Sequence, residues 1–229
     1  MKRWANDSEL FQIMKKDLFT AVVGDVMDKL NLRHQFLPAR IQPLHMDMVV
    51  AGRAMPVLVA DAIEGDFSGH NELLKKPFGL MLEALDDLTE NEVYICTGAS
   101  PEYALWGELM STRAKHLGAA GAVVDGYSRD TRGIMQLGFP TFSYGRYAQD
   151  QAPRGKVIDY RVSISMQGVS INPGDIIFGD LEGVLVIPKE MERDVIEGAL
   201  TKAAGEKTVA KAIRSGMSAK AAFEKYAIM

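Results

Sequence analysis

The stretch "EVYICTGASPEYALWGELMSTRAKHLGAAGAVVDGYSRDTRGIMQLGFPTFSYG", Glu92 to Gly145, decides the fold. Three short apolar runs, "EVYICTG", "AVVDG" and "FPTFSYG", alternate with two segments of helical period, "ALWGELMSTRAKHL" and "TRGIMQL". Each helical segment is followed by a glycine, Gly118 or Gly138, which takes left-handed backbone without a steric penalty and so reads as a C-terminal stop. Strands alternating with helices imply parallel pairing through right-handed crossovers. The same stretch leaves its apolar run at Asp125 and then sets Arg129 directly beside Asp130.

Outward from this core, Asn6, Asp7 and Ser8 offer cap oxygens to a helix "ELFQIMKKDL", and Thr20 is placed to cap a second, "AVVGDVMDKL". "DMVVAGRAMPVLVAD" reads as strand, bulge or turn at Gly52, then strand. "AIEGDFSGHNELLKKP" has no period and reads as an exposed or functional loop before the helix "FGLMLEALDDL". Beyond Ala148 come short strands and turns, "KVIDYRVSISM", "VSI", "NPGD", "IIFGD" and "GVLVIP", and then a long helical stretch stopped at Gly216 and a short last helix. No linker composition interrupts the chain, so residues 1–229 read as a single α/β domain with a central sheet and flanking helices.

Of 229 residues, 47% are hydrophobic, enough for a full core. The net charge of -4 comes from interspersed signs, which provide no basic face for nucleic acid. The single cysteine, Cys96, has no internal disulfide or zinc partner. The charged N-terminus and the lack of a membrane-length apolar run make a soluble, cytoplasmic protein the expectation.

Several chemistries lose support. No phosphate-binding glycine loop occurs, and the glycines of "GAAGAVVDG" precede the strand that a dinucleotide fingerprint would follow. "GYSRD" lacks the second glycine of a nucleophile elbow, which leaves Ser128 an ordinary loop hydroxyl. The four histidines are scattered, and nearly every lysine lies in a polar run. Oxygen ligands and one arginine remain: Glu108, then twenty residues, then Arg129 and Asp130. In the expected topology the start of one helix and the end of one strand bring them to the same sheet edge. One reading is structural, with a Glu108–Arg129 ion pair and Asp130 capping "TRGIMQL". The other is chemical, since hydrated carboxylates suit Mg²⁺ and a guanidinium suits a bound carboxylate. Asp125 ends a strand and could orient Arg129 or cap a turn, and Trp106 reads as packing the helix onto the sheet.

Taken together, "TAVVGDVMDKL", "AGRAMPV", "ALWGELM", "GAVVDGYSRD", "LGFPTFSYG" and "PGDIIFGDLEGVLVIP" give a chain that, from about Leu18 onward, resembles the 4-hydroxy-4-methyl-2-oxoglutarate aldolase and RraA-like family. The resemblance implies a layered α/β/β/α domain. Its aldolase signature, an acidic residue and an Arg-Asp pair twenty residues on, matches Glu108, Arg129 and Asp130. By the same resemblance Asp130 holds a divalent metal largely through water, Mg²⁺ or else Mn²⁺ or Co²⁺, and Arg129 contacts the substrate's keto oxygen and carboxylate. The backbone around Gly107, Leu109 and Met110 binds the pyruvyl carboxylate, and a water directed toward Glu108 shuttles the proton. The family's sites lie between subunits of a trimer, often paired into a hexamer, and Glu206 is the candidate for the glutamate supplied by the neighbour. The implied activity is retro-aldol cleavage of a 4-hydroxy-2-oxo acid, such as 4-hydroxy-4-methyl-2-oxoglutarate or 4-carboxy-4-hydroxy-2-oxoadipate, to pyruvate, with oxaloacetate decarboxylation alongside. The alternative from the same family is a non-catalytic protein that binds and inhibits a ribonuclease. "EGDFSGHNELLKKPFGLMLEALDDL" departs from the shortest members, and for His70 and Asn71 within it two readings stand: contact with a second substrate carboxylate, or a solvated loop.

Overall fold

The computed structural model describes residues 4–62 and 70–228. Two helices, α1 (Asp7–Asp17) and α2 (Thr20–Lys29), precede a two-residue strand β1 (Gln42–Pro43) and a long strand β2 (Val50–Asp61). After α3 (Met81–Asp86) come β3 (Glu92–Thr97), β4 (Ala104–Trp106), α4 (Glu108–His116), β5 (Gly121–Val124), β6 (Tyr127–Ser128), α5 (Thr131–Leu137) and β7 (Thr141–Ser143). The second half supplies β8 (Gly155–Tyr160), β9 (Ile164–Met166), β10 (Val169–Ile171), β11 (Ile176–Asp180) and β12 (Gly183–Ile187), then α6 (Glu192–Arg214) and α7 (Ala219–Tyr226).

The main sheet runs β1-β7-β5-β3-β2-β11-β12, with β8 paired to the far end of β2. Pairings β2–β3, β3–β5 and β5–β7 are parallel, as the strand and helix alternation requires, whereas β11 joins antiparallel to both β2 and β12. Side-chain alternation along β2 then assigns the layers. Met55, Val57 and Val59 pack with Tyr94, Cys96 and Trp106 beneath α3, α4 and α5. Ala51, on the same face, packs with Phe178 and Leu185 beneath α1, α2 and α6. Val50 and Ala54 face the other way, onto Ile95, Val123, Phe142 and the β9–β10 hairpin residues Met166 and Ile171.

The sheet therefore curls around an apolar interior with helices outside. Bonds from Leu37 N to Val184 O (2.9 Å) and from Val186 N to Gln35 O (2.9 Å) bring the chain before β1 alongside β12 and nearly close it. Across the molecule the order is helices, sheet, sheet, helices. Each large apolar side chain fully buried in these layers contributes roughly 1.5–3 kcal/mol.

Four local readings change. Gly52 does not interrupt β2, because its register against Ile177 is continuous. A Cβ there would lie 2.5 Å from the Asn91 carbonyl oxygen, so this glycine permits a close backbone approach. "ALW" is a strand rather than the start of a helix, and α4 begins at Glu108. "KVIDYRVSISM" splits at Arg161, whose backbone is left-handed (φ 55°) and whose guanidinium pairs with Asp87 and Glu92. Thr20 lies inside α2 and does not cap it; its backbone N and its Oγ1 each bond Asp180 at 2.7 Å. Asn6 caps α1 as expected, accepting from Glu9 N at 2.9 Å. Among the described residues no helix is long and apolar enough to cross a membrane.

Candidate active site

β4 and β6 pair in parallel at the edge of the α3–α4–α5 side, with Ala104 opposite Tyr127 and Trp106 opposite Ser128. Their C-terminal ends diverge into two helices, β4 through Gly107 into α4 and β6 through Arg129 and Asp130 into α5. Arg129 N donates to Trp106 O at 2.9 Å and holds the two exits together. Trp106 is buried against Tyr94 and Phe139, with ring centroids at 4.9 and 6.1 Å, and its Nε1 donates to Ser111 Oγ at 2.7 Å, which fixes α4 on the strand that feeds it. The helix start meets a strand end as the sequence implied, but that strand is β6, paired with β4 in a small sheet of its own, and not the apolar run of β5.

Gly107 leaves no room for a side chain: a Cβ there would sit 2.8 Å from Asp130 Oδ2. The Asp130 carboxylate accordingly lies over the first turn of α4, 3.4 Å from the Glu108 amide nitrogen. The amides of Leu109 and Met110 have no partner among the described residues, which leaves the positive end of the helix ready for an anion. Asp130 reaches this position through left-handed backbone (φ 54°), a conformation that costs a non-glycine residue roughly 1–2 kcal/mol. It occupies the N-cap position of α5, yet its side chain makes no capping bond. The expected cap is therefore absent and the carboxylate points elsewhere.

Arg129 does not pair with Glu108. Its Nη2 lies 3.4 Å from Asp150 Oδ1 and its Nε 3.9 Å from Asp130 Oδ2. The Glu108 side chain instead lies against Gly133 of α5, where a Cβ would fall 2.1 Å from its carboxyl carbon. Asp150 was not singled out in the sequence, and a carboxylate in the loop "YAQDQAP" carries no local signal. A bond from Ala104 N to Gln149 O (2.8 Å) holds that loop beside β4 and brings Asp150 to the arginine. Glu206 is elsewhere: on α6 it pairs with Lys202, which also holds Asp25 at 2.9 Å, so within one chain it is not brought to Arg129 and Asp130. Asp125 does not orient Arg129 either. It is buried and accepts from Thr97 Oγ1 (2.5 Å), Tyr144 and Gln167. Desolvation, then the Asp125 contact, pushes the Tyr144 phenol above its ordinary pKa.

A cavity of about 230 Å³ opens here. Gly107, Arg129, Asp130, Asp150 and Gln151 give it polar lining, and Phe78, Met81, Leu82, Leu85, Leu109 and Met110 contribute apolar side chains. Trp106, also in the wall, serves both packing and the cavity. Gln151 is only 4% exposed and its Nε2 has no hydrogen-bond partner. An amide left so costs roughly 1–3 kcal/mol. His70 and Asn71 do not line the cavity: His70 is exposed, and Asn71 Oδ1 accepts from Leu73 N at 3.0 Å. Residues 63–69 of that segment lie outside the described residues.

No three His, Cys, Asp or Glu side chains gather into a cage among the described residues. Asp130 Oδ1 makes no hydrogen bond to them, and Asp150 lies across Arg129. One or two carboxylates with an open approach fit a hard cation that keeps most of its waters, and do not fit a thiolate or imidazole metal.

The fold is a curled α/β sheet with a helix N-terminus, an arginine and two carboxylates around one cavity, the kind of place where α/β domains bind ligands. The chain belongs to the RraA-like family, whose model, described as Aldolase/RraA, matches residues 20–186. A relative from Halalkalibacterium halodurans named "Putative 4-hydroxy-4-methyl-2-oxoglutarate aldolase" is 33% identical over 201 residues, 87% of each chain. A crystal structure described as "novel cellulases from microbes associated with the gut ecosystem" superposes with a TM-score of 0.80 at 31% identity, covering 91% of this chain and 90% of that one. Streptomyces coelicolor RraAS2, described as an unusual member of the RNase ES inhibitor RraA family, shares the fold with a TM-score of 0.75 at 21% identity, over 89% of this chain and 98% of its own.

Proposed function

We propose that this chain is a divalent-metal-dependent lyase that cleaves a 4-hydroxy-2-oxo acid to pyruvate and a carbonyl product. The observation that carries this reading is the convergence of Arg129, Asp130 and the free Leu109 and Met110 amides on one cavity. The substrate carboxylate lies at the start of α4, where amide hydrogens and the helix dipole favour it. Arg129 faces the 2-oxo oxygen and stabilises the negative charge that gathers there as the bond between carbons three and four breaks. The proton of the 4-hydroxyl leaves, its electron pair forms the new carbonyl, and the pair of the broken bond becomes a pyruvate enolate that is protonated at carbon three. Asp150, the second carboxylate in the cavity, is the group we assign to receive the hydroxyl proton. Asp130 would hold Mg²⁺, Mn²⁺ or Co²⁺, which when bound supplies Lewis-acid stabilisation of the developing oxyanion. Loss of CO₂ from oxaloacetate yields the same enolate, so decarboxylation accompanies cleavage. Leu109, 83% exposed at the cavity rim, suits cover by a neighbouring copy, and a trimer or hexamer with Glu206 of that copy at the site belongs to this reading.

The test is pyruvate release from 4-hydroxy-2-oxo acids with Mg²⁺. It is expected to vanish with EDTA, return with added metal, and fall about a hundredfold or more in a folded Asp130→Ala protein. Full turnover in EDTA and in Asp130→Ala overturns the reading. Capture of a ribonuclease by a chain inactive on every such acid replaces it with the inhibitor role that the RraA neighbour's description carries.

A further inference from the structure

We infer that the cavity selects substrates whose fourth carbon carries an apolar group, with Gln151 as the residue that reads the hydroxyl on that carbon. This rests on the proposed lyase activity and narrows its substrate class to singly charged 4-hydroxy-2-oxo acids. Beside the polar groups the cavity is lined by Phe78, Met81, Leu82 and Leu85, with Met81 and Leu85 only 8% and 6% exposed. These residues come from the segment around α3.

Among the described residues, Arg129 is the only cationic side chain lining the cavity, and it already faces Asp130 and Asp150. A second carboxylate at the far end of a substrate would therefore meet methionine and leucine side chains, and would lose water without gaining a partner among the described residues. An alkyl tail, by contrast, leaves water for an apolar surface.

Gln151 supplies the second, independent observation. Its side chain is buried, lines the cavity, and makes no hydrogen bond to any described residue. A neutral amide donates and accepts at once, which matches a hydroxyl and does not neutralise a carboxylate. Asp150 precedes it in the chain, so the group that reads the hydroxyl and the group assigned to take its proton arrive on the same loop. With 4-hydroxy-2-oxohexanoate the bond between carbons three and four breaks, the hydroxyl proton leaves, and the products are propanal and pyruvate.

Two comparisons test the inference with metal-loaded protein. In turnover, 4-hydroxy-2-oxohexanoate is set against 4-hydroxy-4-methyl-2-oxoglutarate; in calorimetry, the uncleavable 2-oxohexanoate is set against 2-oxoglutarate. The apolar member of each pair is expected to win by about tenfold or more. Leu82→Arg, at a half-exposed position on the rim, is expected to reverse both preferences. Gln151→Leu is expected to lower kcat/KM for the hydroxy acid by at least about tenfold while leaving 2-oxohexanoate binding within about twofold. Preference for the dicarboxylate in both assays overturns the inference and leaves the lyase standing. Apolar preference in binding without any cleavage supports the cavity's selectivity and overturns the lyase. Binding of neither acid overturns both.

Discussion

Arg53 and Arg129 show how differently one residue type is used in the same molecule. Arg53, on β2, reaches between α1 and α6: its Nε and Nη2 hold both Asp7 oxygens at 2.8 and 2.6 Å, and its Nη1 holds Glu192 at 2.6 Å. Its side chain is 18% exposed, and Phe11 lies against the guanidinium. Arg129 has its nearest carboxylate oxygens at 3.4 and 3.9 Å and is 39% exposed, beside unpaired amides and an unpaired glutamine. The first arginine is saturated; the second has capacity left. Charge alone does not separate a structural ion pair from a candidate site; the completeness of hydrogen bonding is the difference between these two.

That contrast is open to direct attack. The largest expected effect is Arg129→Ala, with kcat/KM for pyruvate release falling about 10²–10³-fold while the melting temperature stays within about 2 °C. Arg53→Ala is expected to do the opposite, costing about 2–3 kcal/mol in chemical denaturation because it strands Asp7 and Glu192, with turnover per folded molecule kept. Loss of activity in a stable Arg53→Ala protein, or full activity in Arg129→Ala, erases the distinction.

The smallest effect concerns Asp7, whose carboxyl is held below its ordinary pKa chiefly by the hydrogen bonds from Arg53. Its contribution is fully present above the unfolded carboxylate pKa and is lost as pH falls through the lower folded value. Wild type should therefore exceed Asp7→Asn by about 1 kcal/mol at pH 7, a modest figure for a half-exposed pair, and the gap should close as the pH drops below about 4. A gap that persists through that range means that packing, and not charge, docks α1.

Much of this architecture was legible because its signals are local. Apolar runs set between glycine-stopped helical segments sufficed for β3, β5, β7 and their parallel order, whereas the Arg129–Asp130 pair, expected at the end of β5, leaves from β6, a two-residue strand with no signal of its own. The rest depends on contacts distant in sequence. Gly52 reads as an interruption because the reason for it, the Asn91 carbonyl across the sheet, is invisible along the chain. "ALW" joined the helix because three apolar residues have no period of their own, and only pairing with Tyr127 and Ser128 makes them a strand. Asp150 and Gln151 lie in a loop whose composition says nothing about its neighbour. Glu108 was found by its distance from Arg129, yet its carboxylate turned to α5, since spacing fixes an element's end and not the rotamer of its first residue.

The left-handed turn at Asp130 also limits what this position tolerates. Asparagine and glycine accept the turn but carry no charge, while glutamate keeps the charge on a longer side chain poorly suited to the turn. A saturation library at this codon should therefore yield no close second choice, and even the most cautious exchange there should be as visible as a deletion.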